Sequence, residues 1–355
     1  MPSITPDTGF EVTGGVDTHQ DTHTAAVIDM IGRVLGTRQF PATAAGYTAL
    51  LAWMRRFGRL GRIGVEGTGS YGAGLTRRLR DEHLEVIEVD RPNRKTRRSQ
   101  GKSDPIDAIA AAKTALAGER TGTPKQRDGR VEALRNLRVA RRSAIEQRAD
   151  TQRQIKTLII TAPDQLRARL RALNGKKLIT TCANTRPDRT DAADPATAVT
   201  IALRSLARRH QQLSQEITDL DDLLKPLVTA INPGLLTAHG VGTDTAGQLL
   251  VTAGDNHQRI TSETKFAMLC GVAPLPASSG KTTRHRLNRG GDRQANAALY
   301  RVVLVRLRWD PRTRDYMQRR TKDGLSKKEI IRCLKRYVAR ELYQLITQNN
   351  LQHTA

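Results

Sequence analysis

The stretch Gly14-Gly15-Val16-Asp17-Thr18-His19-Gln20-Asp21-Thr22-His23 constrains the fold most. A short apolar run ends on an acid, small polar residues follow, and apolar character resumes over Thr24–Ile28. Met30-Ile31-Gly32-Arg33 then supplies a turn. The pattern predicts a β-hairpin with Asp17 facing outward near the end of its first strand. Most strand-end aspartates are solvated or cap a turn, so the weight of Asp17 depends on whether other carboxylates join it.

The alternation continues to about Asp90. Gly36–Phe40 reads as a third strand, and Ala44–Phe57 has helical spacing with Leu50, Leu51, Trp53 and Met54 on its apolar face. Arg62–Glu66 is a fourth strand that also ends in an acid. Gly67-Thr68-Gly69-Ser70-Tyr71-Gly72 turns the chain into a helix over Ala73–Glu82, and Leu84–Val89 is a fifth strand. Three strands, a helix, a strand, a helix and a strand is the order of an α/β ribonuclease-H-like domain. The glycine-rich turn lacks the Gly-Lys-Ser/Thr ending of a phosphate loop and reads as a sharp exit from the strand.

Arg91 to Lys102 carries six basic residues, including Arg94, Lys95, Arg97, Arg98 and Lys102, and no acid. Ser103-Asp104-Pro105-Ile106-Asp107 follows and opens a helix to about Ala117. Asp104 and Asp107, three apart, share one helix face. Taken alone, capping is the favoured explanation: Asp104 as N-cap, Pro105 in the first turn, Asp107 completing a box. Convergence with Asp17 and Glu66 is the functional reading. Four carboxylates packed together repel unless a divalent cation neutralises them, and hard oxygen donors select Mg²⁺ or Mn²⁺. Such ions assist phosphodiester displacement, and the basic run would hold the backbone beside them. His19 and His23 are either further metal donors or residues lining the strand edge, and the edge is the favoured reading.

Charge names the partner. The 355 residues hold 59 Lys+Arg against 35 Asp+Glu, a net charge of +24, which suits a polyanion. No apolar run approaches the roughly 18 residues of a spanning helix, and no signal peptide is visible. Cys182, Cys270 and Cys333 are too scattered for a disulfide framework or a zinc site. Aromatic content is 3%, too little for stacking platforms to dominate. The expectation is a cytoplasmic protein that binds nucleic acid and no membrane.

From Arg127 to about Leu173 the chain reads as basic helix, and Asn174–Pro195 as a loop or linker. Leu203, Leu206, His210, Leu213, Ile217, Leu220, Leu224, Leu227 and Ile231 then form a heptad seam, with Pro226 expected to kink or stop the helix. The seam serves either a dimer or a core helix packed on its own chain. Asn232 to Gly247 resembles a helix-hairpin-helix, with Gly240-Val241-Gly242 as the hairpin. Beyond the apolar helix end Phe266–Pro274, Ser278-Ser279-Gly280 lies near five cations: Lys281, Arg284, Arg286, Arg289 and Arg293. These would bind phosphate and ease attack by a serine hydroxyl on phosphorus, although serine-glycine in a loop is usually only a loop. Arg301–Arg314 and Lys327–Arg340 read as basic helices along nucleic acid.

The order Asp17, Glu66, Asp104-x-x-Asp107, helical spacer, Ser-Ser-Gly-Lys and Arg-Gly-Gly-Asp-Arg resembles the insertion-sequence transposases with an Asp-Glu-Asp-Asp domain, the IS one-ten family. The resemblance implies a RuvC-like domain over 10–172, a coiled-coil helix over 196–231 and a mainly α transposase domain over 232–345. It implies a recombinase that cuts and rejoins donor and target DNA, guided by a bridge RNA, in a homo-oligomer (a dimer or a tetramer of two dimers) with a composite active site. Asp17, Glu66, Asp104 and Asp107 would hold Mg²⁺. A serine would form a covalent phosphoserine link: Ser279, directly before glycine, with Ser278 open. A RuvC-like Holliday junction resolvase would share the acids and need no serine. A non-catalytic nucleic-acid-binding protein would explain the charge and leave the acids unexplained. A tyrosine recombinase using Tyr316 lacks the His-x-x-Arg helix that chemistry needs, since Asn288 stands at that offset from His285.

Overall fold

The computed structural model describes residues 10–89, 103–118, 121–188, 190–281 and 285–348. The chain divides between Arg127 and Asp128 into two units, a division that falls inside the 10–172 span read from sequence.

The first unit is an α/β sheet. Its strands are β1 (Glu11–Thr18), β2 (Thr22–Ile28), β3 (Val34–Pro41), β4 (Arg59–Glu66), β5 (Glu85–Val89) and a short β6 (Thr121–Gly122). They lie in the order β3-β2-β1-β4-β5-β6. β1 to β3 form an antiparallel meander, while β4 and β5 run parallel to β1. Helix α1 (Ala44–Arg55) returns the chain from β3 to β4, and α2 (Ala73–Asp81) from β4 to β5. Leu50, Leu51 and Met54 of α1 and Leu75 and Leu79 of α2 enter one core with Val12, Val16, Ile63 and Val65 of the central strands. Helix α3 (Asp104–Ala117) stops at Gly118, which takes φ +69. The α/β, ribonuclease-H-like order expected from sequence is the order observed.

The second unit is mostly helical: α4 (Arg130–Thr161), α5 (Asp164–Arg171), α6 (Gly175–Ala183), α7 (Pro195–Ile231), the single turn α8 (Gly234–Thr237), α9 (Thr243–Ala253), α10 (Glu263–Leu269), the strand pair β7 (Leu275–Pro276) and β8 (His285–Arg286), then α11 (Arg293–Trp309), α12 (Pro311–Lys322) and α13 (Lys327–Gln348). The heptad seam of α7 is covered by α4. Leu134 clusters with Leu224 and Val228, Ala144 with Leu213 and Ile217, and Ile155 and Ile159 with Leu203 and Ala207. Rising positions on α4 meet falling positions on α7, so the pair is antiparallel. The period expected of a dimeric coiled coil is thus satisfied within one chain, and the seam gives no ground for a dimer.

Two sequence expectations are revised in this unit. Pro226 does not stop α7, which continues to Ile231. The expected linker after Asn174 contains α6, because Leu178, Ile179, Cys182 and Ala183 are buried with Leu203 and Ala207. In the expected helix-hairpin-helix the first helix is one turn long, and a Cβ on Gly240 would face Val302 and Val305 of α11. Among the described residues no helix is long and apolar enough to cross a membrane.

Candidate functional site

Strand alternation assembles the acids. Val12 and Val16 point into the core beneath α1, so Gly15 and Asp17 occupy the opposite face of β1. That face carries α3, whose Ala108 and Ala112 sit directly on Gly15. On the neighbouring strand Gly64 touches α3 in the same way, with a Cβ there falling 2.5 Å from the Ala111 carbonyl oxygen. Val16 pairs with Val65 in parallel register, which makes Asp17 and Glu66 neighbours at the strand ends. Asp104 and Asp107 come from the first turn of α3, the end that overhangs Asp17.

Asp17 is 7% exposed and Asp107 5%, while Glu66 and Asp104 are half-buried. One ligand atom each from Asp17, His19 and Asp104 lies within 4.8 Å of the other two. The His19 Nδ1 is 3.6 Å from Asp17 Oδ2. Burial pushes the Asp17 carboxyl up to about 6, against the pull of His19 and with further pushes from Glu66, Asp107 and Asp104. A carboxylate held in that environment gains most from a nearby cation. The donors are carboxylate oxygens with one imidazole, a set that suits a hard or borderline divalent ion.

Several readings change with the geometry. Asp17 was expected to face outward, yet it is buried, because α3 covers its face of the sheet. Asp104 was read as an N-cap. The N-cap is instead Ser103, no side chain caps the helix, and Asp104 is its first residue. His19 was assigned to the strand edge but stands beside Asp17; an Asp-x-His step at a strand end was the signal. His23 is fully buried and stacks on Tyr47 at 5.5 Å, a core contact. Glu88 takes no part, since it shares the α1 face of β5 with Val86 and accepts a 2.6 Å hydrogen bond from Thr68. The glycine-rich turn is pinned to its own strand ends: the Thr18 hydroxyl donates to the Glu66 carbonyl at 2.8 Å.

The serines lie in the second unit. β7 and β8 pair antiparallel, and the loop between them carries Ser278, Ser279 and Lys281, all exposed. Arg286, Arg289 and Arg293 are exposed as well. Arg284 lies outside the described residues, as do Arg94, Lys95, Arg97, Arg98 and Lys102. The Arg-Gly-Gly-Asp motif has structural work of its own. Gly291, at φ +84, passes so close to α10 that a Cβ would lie 2.6 Å from the Leu269 carbonyl oxygen. The Asp292 carboxylate caps α11, accepting from the Gln294 and Ala295 backbone nitrogens.

Comparison with known families bears on both sites. The family model DEDD_Tnp_IS110, described as a transposase, matches residues 14–162, and the model described as "Transposase IS116/IS110/IS902 family" matches 233–318. The chain belongs to the IS110 family of transposases. The first match contains Asp17, Glu66, Asp104 and Asp107, and the second contains Ser278 and Ser279. The IS900 uncharacterized 42 kDa protein of Mycobacterium paratuberculosis is 26% identical over 161 residues, 44% of this chain and 40% of that protein. The IS110 uncharacterized 43.6 kDa protein of Streptomyces coelicolor is 31% identical over 144 residues, 38% of this chain and 35% of that one. The matched stretches thus span well under half the length of either relative.

Proposed function

We propose that the chain is a DNA recombinase of an insertion element, which cuts and rejoins strands by metal-assisted phosphodiester transfer through a phosphoserine link. The observation that carries this reading is the convergence of Asp17, Asp104 and Asp107 beside Glu66 at the strand ends, in a member of a transposase family. Asp17, Glu66, Asp104 and Asp107 would hold Mg²⁺ or Mn²⁺, with His19 as a further donor. The cation would supply charge neutralisation at the reacting phosphate. Burial of Asp17 and Asp107 keeps their carboxylates oriented and short of water.

The Ser279 hydroxyl attacks phosphorus: a serine–phosphate ester forms, the bond from phosphorus to one deoxyribose oxygen breaks, and that oxygen leaves as a hydroxyl. A hydroxyl from another strand then displaces the serine and reseals the backbone. Its place directly before Gly280 supports Ser279 over Ser278. Donor and target DNA, a bridge RNA that selects them and assembly into a homo-oligomer complete the reading through the family resemblance.

The test is a labelled DNA carrying the element's end, incubated with the protein, its co-purifying RNA and Mg²⁺. A protein–DNA adduct that survives denaturant, and is lost with EDTA or Ser279→Ala, is expected. Cleavage without any adduct would favour the resolvase reading; an adduct that persists when both serines are alanine sinks the serine assignment.

A further inference from the structure

Between the segment that follows β8 and the first turns of α13 lies a cleft of about 510 Å³. Arg289 and Arg293 line one side, and Lys328, Arg332 and Lys335 the other. Several other arginines of this unit are matched by acids. Arg138, Arg141 and Arg301 gather on Asp244, Arg306 meets Glu341, and Arg336 and Arg340 meet Glu263. The five cations of the cleft have no ion pair among the described residues. Its one acid, Asp292, spends its carboxylate on the α11 cap and on the Thr252 hydroxyl.

The cleft is also built to hold its cations in place. Lys335 Nζ donates to Asn296 Oδ1 at 2.8 Å, and Asn296 Nδ2 donates to the Cys270 and Gly271 carbonyls. Burial, with help from Arg332, holds the Lys335 amine below its ordinary value. Like charges collected without an acid repel one another, and an anion between them removes that cost. Lys328, Arg332 and Lys335 stand four and three residues apart, one face covering about 10 Å of helix. That length suits a chain of phosphates better than a single one. Tyr300 of α11, half exposed, adds a ring to the lining. The adjoining cleft of about 620 Å³ differs, because Glu263 neutralises its Arg336 and Arg340.

We propose that the first cleft grips the sugar-phosphate backbone of a nucleic-acid strand through Arg289, Arg293, Lys328, Arg332 and Lys335. β8 runs directly into the cleft wall at Leu287 and Asn288, so a strand held there passes beside the hairpin that bears Ser278 and Ser279. The proposal rests on the reading that the chain acts on nucleic acid, and adds to it a backbone site on α13.

The test is binding of the full chain to a fluorescein-labelled DNA duplex and to RNA of the same sequence, across a salt series. The Lys328→Gln/Arg332→Gln variant removes two exposed charges from the cleft. Lys176→Gln/Lys177→Gln removes two exposed charges from α6 as the control. The cleft variant should lose roughly tenfold in affinity and about two units of salt slope, with the control within about twofold of wild type. Loss confined to one ligand identifies DNA or RNA as the source of the backbone. Equal losses in both variants, or none in the cleft variant, overturn the cleft and leave the wider reading standing. A wild-type chain that binds neither ligand overturns both. All four positions are exposed, and an unchanged thermal midpoint verifies that each variant is folded.

Discussion

Gly15 lies so close under Ala112 that a Cβ on the glycine would fall 2.2 Å from the Ala112 backbone nitrogen. The contact is backbone against strand, with no flexible side chain to move aside. It is what allows the start of α3 to reach Asp17. Gly15→Ala must therefore push α3 off the sheet, at a cost of about 1–3 kcal/mol. Thermal melts should register the loss, and titration with Mn²⁺ should weaken as Asp104 and Asp107 move from Asp17. A variant that binds Mn²⁺ like wild type would separate helix packing from assembly of the acids.

Asp17 gives a pH dependence of definite sign. Its folded-state value is raised to about 6 from 3.8, so the folded chain holds a proton more tightly than the unfolded one. On this term stability is full below the unfolded value and declines as pH rises through about 6. Asp17→Asn should stabilise the metal-free protein at pH 8, on the order of 1 kcal/mol, and do little at pH 4. Mg²⁺ should raise the wild-type melting temperature more at pH 8 than at pH 5, because protons and cation compete for one carboxylate. Equal Mg²⁺ effects in wild type and Asp17→Asn would remove Asp17 from the metal site.

The sequence made the acids legible because each sits at a punctuated element end. Asp17 and Glu66 close strands, and Asp104 opens a helix that Pro105 starts and Gly118 stops. His19 carried no periodic signal, and only the fold sets it against Asp17. The role of α7 was half legible, since a heptad seam has the same spacing whether its partner is another chain or α4. The helix α6 was hidden because Lys176, Lys177 and Thr180 dilute a short apolar face whose stability comes from packing on α7. The Arg-Gly-Gly-Asp motif read as a phosphate contact, while its glycines and Asp292 also serve the turn and the α11 cap.

The antiparallel packing of α7 on α4 has a measurable consequence. Ile217 is buried with Ala144 and Leu213 inside one chain. Ile217→Ala should cost about 2–4 kcal/mol in denaturant unfolding. The melting temperature should be independent of protein concentration for both forms. A midpoint that rises with concentration, and is lost in Ile217→Ala, would return the seam to an intermolecular role.

Asp244 holds three arginines, with Arg138 at 2.9 Å, Arg301 at 3.0 Å and Arg141 at 3.4 Å. It thereby ties α4 and α11 to the first turn of α9. Burial pushes its carboxyl up, but Arg138, Arg301 and Arg141 together outweigh burial and hold it below the ordinary value. A depressed folded-state value means stability that is present above the unfolded value and lost as pH falls through the folded one. Asp244→Asn leaves Arg138 and Arg301 without a counter-charge, while Arg141 keeps Asp221. Full burial would make that worth 3–5 kcal/mol, and the partial exposure of Asp244 reduces the expectation to about 2–3 kcal/mol. Denaturant unfolding at pH 7 should read this loss directly. The gap between wild type and variant should then close in acid, below the ordinary carboxylate range, where wild-type Asp244 is itself protonated. A gap that stays constant with pH would mean that the carboxylate acts through packing and hydrogen bonds, with its charge contributing nothing.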